Sequence, residues 1–113
     1  MKVRGIIIRG KGKGKKLGFP TANIALKKEI PSGVYEGSVH IKDKKYQAAI
    51  FVGKDKKILE AHLTGFFGDL YGKEITVEVL AKLRDIIHFD NDYDLIKQIS
   101  KDIEKIKSPT HNL

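Results

Sequence analysis

The chain has 113 residues and no cysteine, with 41% hydrophobic and 32% charged residues, which suits one folded domain over 1–113 and excludes disulfides, thiolate metal sites and a thiol nucleophile. No apolar run nears the roughly 18 residues that span a membrane, and MKVRGIII stops at Arg9, so neither a membrane span nor a secretory signal is expected and the setting is read as cytoplasmic. The formal net charge of +8 is uneven: residues 1–28 hold nine Lys or Arg and no Asp or Glu, and the remainder sums to −1.

Residues 2–9 read as a strand, dense in β-branched side chains at Val3, Ile6, Ile7 and Ile8, with Gly5 a candidate bulge. GKGKGKKLGFPTAN follows at 10–23. It fits neither the Walker pattern nor the dinucleotide G-x-G-x-x-G, since Leu17 takes the third glycine slot, and Pro20 with Thr21 opposes the helix both motifs need. One reading is a solvated basic loop. The other is a phosphate cradle, in which glycines admit close backbone approach and lysines supply charge. Pro20 fixes φ near −65°, and an extended chain then sends Thr21 and Asn23 to one side, as two oxygens able to meet Mg²⁺ carrying a nucleotide phosphate. Nucleic acid is the rival ligand for such charge, but base stacking wants interleaved aromatics and residues 1–28 offer only Phe19.

Ala22 to Leu26 is a short extended piece, and a connection closed by Pro31 leads to a hairpin. Its arms are Gly33–Lys42 and Lys45–Val52, joined at Asp43-Lys44, with Tyr35, Val39 and Ile41 on one face. After the polar turn 53–57, residues 58–66 resume as a strand with Glu60, His62 and Thr64 on one face and Leu59, Ala61 and Leu63 on the other. The first face either lines a cavity or is a solvent-facing row. A glycine-bounded loop at 65–72 carries Asp69 and Tyr71. Glu74–Arg84 is the clearest strand, with Ile75, Val77, Val79, Ala81 and Leu83 toward the core. Asp90, Asn91 and Asp92 are candidate caps for a helix over 93–106, whose apolar stripe is Leu95, Ile96, Ile99, Ile103 and Ile106. That helix reads as scaffold, packed on the sheet or across a barrel end. Five or six short strands and one terminal helix imply a mainly antiparallel, all-β barrel.

The L-G-F-P-T-A-N segment, with P-S-G-V-Y-E-G at 31–37, E-A-H-L at 60–63, G-D-L-Y-G-K at 68–73 and L-R before Phe89, resembles the riboflavin kinase (flavokinase) family over nearly the whole chain. The resemblance implies a six-stranded antiparallel Greek-key barrel with one C-terminal helix. It implies transfer of the γ-phosphoryl group of a nucleoside triphosphate, ATP by preference, to the ribityl 5′-hydroxyl of riboflavin, giving FMN. On the matching positions, Glu60 is the catalytic carboxylate, and Thr21 and Asn23 bind the metal and the phosphates. Gly10, Gly14, Lys15 or Lys16, Gly18, His62 and Tyr71 lie on the nucleotide side, while Arg84, Ile87 and Phe89 face the flavin. His62 equally reads as a structural histidine, and Phe89 as core. The chain departs from the family at Ile86, where glutamate is usual, and in its short 53–57 turn without proline. Without an adenylyltransferase domain the chain is expected to stop at FMN. It is expected to act as a monomer on small molecules, with no nucleic-acid or membrane partner. Two alternatives are a non-catalytic flavin- or nucleotide-binding barrel and a small RNA-binding barrel.

Overall fold

The computed structural model describes residues 1–8, 21–64 and 71–107. Within them the alternating segments become strands β1 (Lys2–Ile6), β2 (Thr21–Ala25), β3 (Gly33–Ile41), β4 (Lys44–Val52), β5 (Ile58–Leu63) and β6 (Glu74–Arg84), followed by helix α1 (Asp92–Lys107). The hydrogen-bonded order is β1-β6-β3-β4-β5-β2, antiparallel at every step. Strands β3, β4 and β5 form a meander, and β6 returns beside β3, which is a Greek key. The sheet curls until its edges nearly meet, where Ile8 donates its N–H to the Asn23 carbonyl at 2.8 Å. The six-stranded antiparallel barrel with one helix is therefore the fold observed.

Period-two alternation builds the interior. Ile24, Val39, Ile50, Leu59, Leu63 and Val77 are buried inside the barrel, each contributing roughly 1.5–3 kcal/mol by leaving water. Gly5 is not a bulge: it pairs in register with Ile75. A Cβ there would sit 3.2 Å from Ile24 Cβ, so glycine answers the close approach of β1 to β2. The irregularity lies in β6 instead. Pairing runs from Gly37↔Val79 to Tyr35↔Lys82 to Val34↔Arg84, which inserts extra residues on β6. Extra residues turn side chains to the other face. Ala81 is consequently exposed, and Leu83 packs against the α1 cluster instead of the barrel interior. At Gly37 a Cβ would fall 2.2 Å from the Glu78 carbonyl oxygen, so β3 can lie this close to β6 only without a side chain.

The hairpin turns at Lys42-Asp43, one residue earlier than the sequence suggests, with Lys42 at φ 56°. Asn91 caps α1, its Oδ1 accepting the Asp94 N–H at 2.8 Å. The helix lies on the outside of the barrel, not across its end: Ile99, Ile103 and Ile106 cover Ala49, flanked by Phe51, Leu83 and Leu95.

Candidate active site

Strand β2 alternates Thr21, Ala22, Asn23. Ala22 is buried inside the barrel, so Thr21 and Asn23 stand on the outer face together. The register of β2 with β5 sets Thr21 opposite His62 and Asn23 opposite Glu60. Directly opposed residues have Cβ atoms about 5 Å apart, so these four side chains form one patch. The same register extends across the sheet. Asn23 faces Glu60, Glu60 faces Phe51, Phe51 faces Val34 and Val34 faces Arg84. One lateral row therefore runs from the Thr-Asn strand to the arginine.

Contacts along the row are specific. His62 is 1% exposed, and its Nε2 lies 2.6 Å from Glu60 Oε1. A carboxylate only accepts, so Nε2 is the donor. The Glu60 side chain is 40% exposed, which leaves this carboxylate within reach of a ligand. Phe51 presents its ring against His62 in a T-shaped contact, 4.6 Å between centroids. The Arg84 guanidinium carbon lies 5.9 Å from the Phe51 centroid. Arg84 Nε and Nη2 donate to the two Asp102 carboxylate oxygens at 3.1 and 2.8 Å, and Nη1 donates to the Asp85 carbonyl. Asp102 is fully buried, and Gln98 Nε2 also donates to it.

The structure thus gathers Thr21, Asn23, Glu60, His62 and Arg84 onto one outer face, from segments far apart in the chain. Gly10, Gly14, Lys15, Lys16 and Gly18 lie outside the described residues. Ile8 and Thr21, which bound that stretch, both adjoin Asn23, the first through its hydrogen bond and the second along β2. Tyr71 sits in an exposed turn tied to the end of β1, where Gly72 donates to the Ile7 carbonyl. Ile87 is exposed and Phe89 half-buried, in the segment between β6 and α1. Sequence reading overlooked Phe51 and Asp102. Phe51 was hidden inside an apolar strand. The signal for Asp102 was available, since it falls three residues after Ile99 and four before Ile106, on the stripe assigned to apolar residues.

Among the described residues no group of three His, Asp or Glu side chains is placed to hold a metal. Mg²⁺ needs none, because it keeps waters and takes one or two protein oxygens beside phosphate. The neutral oxygens of Thr21 and Asn23, side by side next to Glu60, fit that requirement.

A family model described as Flavokinase: Riboflavin kinase matches residues 1–110. A bifunctional riboflavin kinase/FMN adenylyltransferase of Buchnera aphidicola subsp. Schizaphis graminum is 38% identical over 93% of this chain and 37% of its own length. Among solved structures, one titled macrolide-efflux protein from Streptococcus pneumoniae superposes with a TM-score of 0.85 at 32% identity, covering 95% of this chain and 38% of that one. A riboflavin kinase from Trypanosoma brucei shares the fold, with a TM-score of 0.70 at 24% identity over 94% of this chain and 74% of that one. The chain thus spans little more than a third of the length of the bifunctional relative.

Proposed function

The chain belongs to the riboflavin kinase (flavokinase) family, and from that premise we propose that it transfers the γ-phosphoryl group of ATP to the ribityl 5′-hydroxyl of riboflavin, forming FMN. The observation that carries the reading is the register placing Asn23 and Thr21 opposite Glu60 and His62 on one outer face, where the Glu60 carboxylate is open to solvent while Asn23 and His62 are buried. Phosphoryl transfer asks a protein for positioning and charge neutralisation more than for covalent chemistry, and this patch supplies both.

In this reading Glu60 is the base. Its Oε1 is held by His62, which leaves Oε2 to accept the proton of the attacking hydroxyl. Thr21 and Asn23 would hold Mg²⁺, whose chemistry there is neutralisation of phosphate charge. The Lys-Gly stretch, with Gly10, Gly14, Lys15, Lys16 and Gly18, would bind the phosphates, and Tyr71 would lie on the nucleotide side. His62, assigned to the nucleotide side from the sequence, serves here to orient Glu60. Along the row, Arg84 stands three strands from Glu60, and Ile87 and Phe89 follow it in the segment between β6 and α1; these three residues are read as the flavin end. The protein is proposed to act as a cytoplasmic monomer.

The test is incubation with riboflavin, Mg²⁺ and each of the four nucleoside triphosphates in turn, followed by chromatography. FMN formed with ATP and dependent on the divalent ion is expected. Riboflavin left unphosphorylated with every donor would overturn the assignment.

A further inference from the structure

We propose that Asp102 is a positioning residue for the transfer, acting through Arg84, Phe51 and His62 on Glu60, so that α1 belongs to the active site and is more than scaffold. This rests on the reading of Glu60 as the base. A fully buried carboxylate on the apolar face of a helix is costly unless it is paired. Its pairing with Arg84 is close and bidentate, but stability alone does not account for it. Buried ion pairs replaced by apolar side chains of like volume often leave a protein as stable or more so.

What the pair does supply is orientation. A forked guanidinium bonded to both oxygens of one carboxylate has its plane fixed, and here that group lies over Phe51. Phe51, with the guanidinium on that side, meets His62 in a T-shaped contact. His62 in turn holds Oε1 of Glu60 at 2.6 Å. The carboxylate needs such a hold, because a side chain 40% exposed at a strand surface otherwise samples several rotamers. The Arg84 side chain reaches Phe51 past Val34, which lies between them in the row, and His62 stands two residues from Glu60 on β5.

The experiment compares the intact chain with Asp102→Asn, Arg84→Lys and the double variant Arg84→Met/Asp102→Leu. Lysine keeps the charge but not the planar fork, and the double variant guards against simple unfolding. At saturating riboflavin and MgATP, kcat is expected to fall about 10- to 100-fold in all three, as misplacement of a catalytic group does, with the KM for ATP unchanged. The melting temperature of the double variant is expected to stay at or above that of the unaltered chain. In nitrogen-edited NMR, the sheltered Nε2–H signal of His62 is expected in the unaltered chain and broadened away in the double variant. A stable double variant with unaltered kcat and an intact His62 signal would overturn this inference alone. An unaltered chain that makes no FMN would overturn the functional reading and this inference with it.

Discussion

At the scale of single residues, each role follows from where alternation and register point a side chain. Glu60 is half in water and held at one oxygen, so Glu60→Gln keeps the shape and removes the basicity. FMN formation is expected to drop by about 10²- to 10⁴-fold while riboflavin binding, followed by flavin fluorescence, persists; equal turnover by the variant removes Glu60 from its role. Asn23→Ala takes one hard oxygen from the proposed ion site, so the Mg²⁺ concentration giving half-maximal rate is expected to rise. A titration of rate against Mg²⁺ checks this. Gly37 carries a structural demand of equal clarity. Its replacement by Ala would drive a Cβ to 2.2 Å from the Glu78 oxygen, and the β3–β6 ladder must then open. Thermal melting of Gly37→Ala is expected to show a destabilisation of several degrees.

At the scale of elements, α1 is fastened by a cap, an apolar stripe and one ion pair, which differ in weight. Loss of the Asn91 cap is worth about 1 kcal/mol, whereas Ile103→Ala, which empties part of the cluster over Ala49, is expected to cost roughly 2–5 kcal/mol. Urea unfolding of the two variants should rank them in that order. The exit from β6 carries a further pair, Lys82 Nζ to Asp85 Oδ1 at 2.6 Å. Their hydrogen bond holds the Asp85 carboxyl below its usual 3.8 and the Lys82 ammonium above its usual 10.5. For Asp85 the stabilisation is complete above the unfolded value and is lost as pH falls through the folded one. For Lys82 it is complete below the unfolded value and is lost as pH rises past the folded one. Both groups are exposed, so the effect is small and screened by salt. Melting curves of Asp85→Asn and the unaltered chain should therefore differ slightly at neutral pH and converge below about pH 4.

At the scale of the whole molecule, net charge and fold act together. The +8 charge favours encounter with an anionic triphosphate, so the KM for ATP is expected to rise with ionic strength more steeply than that for uncharged riboflavin. Much of the architecture was legible beforehand, because burial writes its period into the chain. Glu74–Arg84, the face shared by Glu60 and His62, and the stripe Ile99, Ile103 and Ile106 were all readable as alternation or helical spacing. Thr21 and Asn23 were readable as a pair because an extended backbone sends residues two apart to one side. The bulges of β6 were not, since they arise from how two strands fit and not from the composition of either. Nor was the partnership of Asp102 with Arg84, eighteen residues apart, or the place of Phe51 between Arg84 and His62. Sequence alone determined which residues could share a face and what chemistry they bring. Tertiary pairing decided which faces meet, because register and strand order are set by the packing of the whole barrel, and only they could bring Asn23, Glu60, Phe51 and Arg84 into one row.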